Sequence, residues 1–271
     1  MLGPCQNESC ANRRYGWLAV LVRQRGIRLD NHWYCSPECF EEAIGRKLAD
    51  LVALLPQRKL QGHRVPLGLM LLARGDVTAQ ELKEALRAQR EAGSGRVGEW
   101  LRRHGAVSEQ QVTAALGMQW ARPILPCIDP TRFLECACLI PLPLAEDARM
   151  APLHYQGAGR LLYVAFADAI DYCTLHGIEQ MLDCRTEPCL AAPSAIDWAL
   201  GQLRAMPRPA EMVFEDIHEP RQMAQVARDY SVRLHAEETR LVACGRFIWL
   251  QIRSRAQTHN LLFHLPAEQP R

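Results

Sequence analysis

No apolar run in the chain is long enough to cross a bilayer. The longest, Trp17 to Val22 and Leu161 to Ala167, fall far short of the roughly 20 residues a spanning helix needs. The first ten residues, Met1 to Cys10, also lack the basic start and apolar stretch of a signal peptide, so a cytoplasmic protein is expected. A net charge of +2 over 271 residues gives no general attraction to nucleic acid or to an anionic membrane. The phosphate-loop pattern Gly-x-x-x-x-Gly-Lys-Ser/Thr is absent from the chain, which excludes a P-loop motor. No constellation of nucleophile, base or paired carboxylates stands out, and the chain is expected not to be an enzyme.

Cysteine, by contrast, is plentiful. Eleven cysteines without an export signal point to a reducing compartment and to metal ligation rather than a disulfide framework. Cys5 and Cys10 are separated by four residues, and Cys35 and Cys39 by three, with 24 between the pairs. Four soft ligands in two close pairs suit a tetrahedral, structural Zn²⁺ site. The alternative is four free thiols in a small core, and His32 is a further candidate ligand or simply a hairpin residue. Between the pairs, Trp17 to Val22 and Arg28 to Trp33 read as strands around Gln24-Arg25-Gly26. Ser36 then reads as a helix cap and Pro37 as the first helical position of a stretch running to Leu55. This order, with Trp33-Tyr34-Cys35-Ser36-Pro37-Glu38-Cys39-Phe40, resembles a treble-clef finger of the TRASH/MYM type. The arginines at 13, 14, 23, 25 and 28 either line a solvated hairpin or mark a nucleic-acid-binding regulator.

The strongest pattern is a tandem repeat. A shift of 30 residues superposes Gly68 on Gly98, Leu71 on Leu101, Gly75 on Gly105, Val77 on Val107, Leu86 on Leu116 and Gln89 on Gln119. Each copy reads as a short helix stopped by glycine, then a Thr or Ser cap with Glu81 or Gln111 three residues on, then a second helix. Leu82, Ala85, Leu86 and Gln89 share one face of the second helix by the i, i+3, i+4, i+7 rule. Val112, Ala115, Leu116 and Gln119 do so in the other copy.

Pro66 to Gln89 and Arg96 to Gln119 are each 24 residues long. They resemble the paired motif of the MshE-type N-terminal domain of type II secretion and type IV pilus assembly ATPases. That resemblance implies binding of cyclic di-GMP at Leu67, Gly68, Leu71, Leu72, Leu86 and Gln89 of the first motif. In the second it implies Arg96, Val97, Gly98, Leu101, Leu116 and Gln119. It also implies docking to secretion or pilus machinery proteins. There are three departures: Pro66 stands where the family has Arg, the spacer Arg90 to Gly95 has six residues, and Arg102 stands where the first copy has Leu72. The alternative is a plain four-helix packing unit whose glycines are turns and whose glutamines are partly buried caps.

Beyond the repeat, Met150 to Tyr155, Arg160 to Ala167, the helix Tyr172 to Leu182, Arg185 to Ala191 and a helix capped by Ser194 read as an α/β unit. Phe166 to Asp171 resembles the same family's Ala-Asp-Pro-x-Asp turn. Met206 to Pro209 reads as a linker, Glu219 to Glu237 as a helix and the remainder as a three-stranded meander, with Phe247 and Trp249 on a face free for a partner. The expectation is an α+β chain in three parts: 1–55, 63–203 (repeat 66–119, α/β unit 139–203) and 212–266. Its function would be that of an adaptor or sensor.

Overall fold

The computed structural model describes residues 4–10, 26–54 and 64–266. The expected strand Trp17 to Val22, most of its turn and most of the linker Leu55 to Val65 lie outside the described residues. A short hairpin, β1 (Ile27–Leu29) and β2 (His32–Tyr34), precedes α1 (Pro37–Leu54). The repeat follows as α2 (Leu67–Ala73), α3 (Ala79–Ala92), α4 (Val97–Arg103) and α5 (Glu109–Trp120). Next come β3 (Ile124–Leu125), α6 (Pro130–Cys136), α7 (Leu142–Asp147), β4 (Met150–Gln156) and β5 (Leu161–Phe166). After these run α8 (Tyr172–Leu182), β6 (Arg185–Ala191), α9 (Pro193–Ala205), β7 (Ala210–Phe214) and α10 (Pro220–Arg233). The chain then makes β8 (Glu238–Cys244), β9 (Phe247–Arg253) and β10 (Thr258–His264).

Two sheets organise these elements. The smaller has the order β3-β6-β5-β4, with β4 alone antiparallel to its neighbour. The larger has the order β2-β1-β8-β9-β10-β7. The meander expected from the last third of the sequence forms its centre, extended by β7 on one side and by the N-terminal hairpin on the other. Asp30 fixes that second junction. Its amide donates to the Thr239 carbonyl at 2.8 Å, its Oδ1 accepts from the Leu241 amide at 3.2 Å, and Lys47 pairs with its carboxylate.

The centre of the large sheet, β8 to β10, is buried on both faces, and there the strands carry continuous apolar stretches such as Leu241 to Cys244 and Phe247 to Leu250. Strand side chains alternate between faces. The cross-strand row Leu241, Leu250 and Leu261 therefore lies in a core with α1 and α10. Its neighbouring row, Val242, Trp249 and Leu262, lies in the core shared with the repeat and the α/β unit. Phe247 and Trp249 are thus interior residues, not a free partner face. Glycine makes one close approach possible: a Cβ on Gly177 of α8 would sit 2.5 Å from the Ala243 carbonyl oxygen.

Two local expectations are corrected. Arg28 to Trp33 is not one strand: Asp30 and Asn31 adopt φ of +48° and +70° and turn the chain between β1 and β2. Short polar side chains tolerate that left-handed geometry best after glycine. Ser194 does not cap α9. Ala192 is the cap and Pro193 the first helical residue, while the Ser194 amide and hydroxyl both donate to Glu109. Met206 to Pro209 joins α9 to β7 as expected and is held in place: Arg208 is only 9% exposed and donates to the carbonyls of Ala137 and Ile140 and to Glu211.

Candidate metal centre and repeat platform

The four N-terminal cysteines meet. Cys5 and Cys10 lie on the loop 4–10, Cys35 follows β2, and Cys39 lies in the first turn of α1, where Ser36 Oγ accepts from the Cys39 amide at 3.3 Å. The loop is held by the Gln6 amide donating to the Trp33 carbonyl at 3.1 Å. Buried Asn7 holds it to α1: its Nδ2 donates to Glu42 at 2.8 Å and its Oδ1 accepts from Arg46 at 3.1 Å.

All four sulfurs lie within 4.8 Å of one another, with Cys10 to Cys35 at 3.5 Å and Cys35 to Cys39 at 3.8 Å. Four thiolates around an ion at about 2.3 Å would stand about 3.8 Å apart, so the cage has the right size. The Cys35 amide also lies 3.5 Å from Cys5 Sγ. Burial, then the neighbouring thiols, pushes the Cys35 thiol well above its ordinary range, and burial likewise raises Cys39. A cation is what would hold such a group ionised. The cluster can therefore hold a metal ion, and its donor set is that of a closed structural site. His32 lies exposed in the hairpin and is not among the clustered ligands. Of the arginines offered for nucleic acid, those at 13, 14, 23 and 25 lie outside the described residues.

The repeat closes with near-twofold regularity. Both short helices end in the same two hydrogen bonds: Gly75 and Asp76 amides to Leu72 and Leu71 carbonyls, Gly105 and Ala106 amides to Arg102 and Leu101 carbonyls. Gly75 and Gly105 have φ of +75° and +72°, the geometry that lets the last carbonyls find partners. Thr78 with Glu81 and Ser108 with Gln111 form complete capping boxes at α3 and α5.

The two glutamines tie the copies together. Gln89 Nε2 donates to the Gly95 carbonyl at 2.8 Å, just before the second motif. Gln119 Nε2 donates to the Val65 carbonyl at 2.6 Å, just before the first. Gly95 and Val65 are themselves 30 residues apart, so each copy's last residue clasps the start of the other.

The residues expected at a nucleotide site divide by burial. Gly68, Leu71, Gly98, Leu101 and Leu116 are buried, whereas Leu67, Leu72, Leu86, Val97, Gln89 and Gln119 are half-buried and Arg96 is exposed. The two glycines face protein. A Cβ on Gly68 would meet Leu82 at 2.7 Å, and one on Gly98 would meet Val112 at 3.1 Å and Leu67 at 3.2 Å. Their lack of a side chain serves helix-to-helix contact. The departures have local accounts as well. Pro66 is the N-cap residue of α2 at φ −55°, which its ring favours. Arg64, two residues earlier, lays its guanidinium 3.4 Å from the centre of the Trp120 ring. Arg102, unlike Leu72, points to solvent and lies 3.8 Å from Glu109.

Spacing gave no sign of Asp168 as a partner of the repeat. In sequence either Asp168 or Asp171 suits the cap of the following helix; Asp171 is the one that caps α8, accepting from the Cys173 and Thr174 amides. Asp168 instead lies 3.3 Å from Arg96 and 3.5 Å from Arg149.

Fold and site together define an α+β protein that joins a four-cysteine cluster to a two-copy helical platform. No protein-family model and no curated protein matches the chain. Among solved structures it is similar to MshE with cdg, at 27% identity over 52% of this chain and 99% of that one, with a TM-score of 0.42. It is similar also to the N-terminal domain of XpsE in two crystal forms, at 19% identity over 49% and 48% of this chain and 89% of that one. The TM-scores there are 0.37 and 0.29. Among the described residues no helix is long and apolar enough to cross a membrane.

Proposed function

We propose that the chain is a non-enzymatic adaptor whose helical repeat senses cyclic di-GMP, and whose Cys5, Cys10, Cys35 and Cys39 hold a structural Zn²⁺. The carrying observation is the reciprocal clasp of Gln89 and Gln119. A ligand made of two identical halves is best met by a surface made of two equivalent halves, and the clasp sets the two motifs in that relation. Arg96, 60% exposed at the start of the second motif, supplies the charge for phosphate. The apolar edge would come from Leu67, Leu72, Leu86 and Val97, which are only half-buried. Calorimetric titration of the purified protein with cyclic di-GMP tests the reading. Saturable binding at micromolar ligand that weakens at least tenfold in Arg96→Ala is expected. No heat and no thermal shift in the wild-type protein would remove the nucleotide.

A second reading has its own observation. Val65, Leu69 and Met118 are 58%, 52% and 58% exposed on the α2–α5 side of the platform. Large apolar side chains open to solvent in one region are suited to a protein partner, here a component of secretion or pilus machinery. The two readings separate in the same titration, since docking leaves cyclic di-GMP unbound.

A further inference from the structure

We propose that Asp168 is a built-in competitor for the phosphate position, holding Arg96 until a ligand phosphate displaces it. This rests on the nucleotide reading above.

Asp168 lies in the turn between β5 and α8, outside the repeat. Its Oδ2 lies 3.3 Å from Nη1 of Arg96 and 3.5 Å from Nη1 of Arg149, so one carboxylate oxygen serves two guanidinium groups. The second amino group of Arg149 reaches Asp197 of α9 at 3.0 Å. A chain of alternating charges thus runs from the start of α4 across to α9. Within it the Asp168 side chain is 17% exposed and that of Arg96 60%.

Arg96 is the one arginine standing at a motif start, because Pro66 occupies that place in the first copy. A carboxylate oxygen facing a guanidinium is the nearest thing a protein offers to a phosphate oxygen facing one. The guanidinium that should meet phosphate is therefore engaged by an internal anion. Release is inexpensive. Asp168 keeps Arg149 when Arg96 leaves, so no carboxylate is stranded, and the bond lost is one ion pair whose Arg96 side is open to solvent, of modest value. The phosphate gains a planar group with several donors still open to water. Binding is then linked to an exchange of partners at the seam between the repeat and the β5–α8 turn. That turn leads into α8, which packs on β8 through Gly177, so the exchange sits next to the contact between the α/β unit and the large sheet.

The test is calorimetric titration of the 271-residue chain with cyclic di-GMP, alongside thermal unfolding to show that each variant is folded. Asp168→Asn removes the competitor and is expected to tighten binding about two- to fivefold, the range set by a partly exposed ion pair. Asp168→Ser should do the same and serves if the Asn variant folds poorly. Asp197→Asn removes an equal charge nearby without touching Arg96 and should leave the affinity within twofold. Arg96→Ala added to Asp168→Asn should abolish the gain. If wild type binds but Asp168→Asn and Asp168→Ser bind no more tightly, or if Asp197→Asn tightens binding equally, the competitor is wrong and the nucleotide reading stands. If none of the proteins binds, both fall.

Discussion

Single atoms decide much of this structure. Gly177 has no room for a methyl group, because a Cβ there would press on the Ala243 carbonyl oxygen, part of a backbone that cannot rotate away. Gly177→Ala should therefore destabilise the protein by about 1–3 kcal/mol, measurable as a shifted urea midpoint at unchanged slope. At Gly68 the obstructing group is the end of the flexible Leu82 side chain, so Gly68→Ala should cost less than Gly177→Ala. His259 is a second case. Its ring is buried on the same side of β10 as Leu261, and neither ring nitrogen has a partner among the described residues. Burial, then the charge of Arg233, holds its pKa below 6.5. The folded state thus binds its proton less readily than the unfolded chain, so the contribution is complete above pH about 6.5 and is lost as pH falls below it. His259→Leu should flatten the loss of melting temperature between pH 7 and pH 5 relative to wild type. An equal slope in both proteins would discount the histidine.

At the scale of elements, the repeat was legible because its signals are local. Glycine after a short helix, then Thr78 or Ser108 with a partner three residues on, are determined within one turn of chain, and both boxes form. Helix α8 and strand β6 were legible for a similar reason, each bounded by Asp171, Asp183 or a change of period. The four-cysteine cluster was legible from spacing alone. What could not be read depended on distant partners. Ser194 looked like a cap, but Glu109 takes both its donors. Asp30-Asn31 looked like strand interior, yet two left-handed residues there let Asp30 reach Thr239 and Leu241. Phe247 and Trp249 looked like an open face because alternation in sequence shows that a strand has two sides, not what covers each. Gly68 and Gly98, which the resemblance places at a nucleotide site, stand against Leu82 and Val112.

At the scale of the molecule, the cysteine cluster belongs to the same core as the last strands. Cys5, Trp33, Phe40 and Leu48 pack with Leu241, Ile248, Leu250 and Phe263. Loss of metal should therefore not stay local. Purified protein should contain about one zinc per chain by elemental analysis, and chelation or Cys35→Ser should lower the melting temperature of the whole protein, not of a separate N-terminal transition. Two resolved transitions, with only the smaller one moved, would show that the cluster stabilises nothing beyond itself. The β1–β8 pairing has a further consequence. Leu29 stands beside Thr239 in register, yet some two hundred residues must leave the ribosome before the two can meet. The hairpin therefore waits for its sheet neighbour until β8 is made, and a nascent chain stalled ahead of β8 would carry β1 with one edge unpaired, a natural substrate for chaperones.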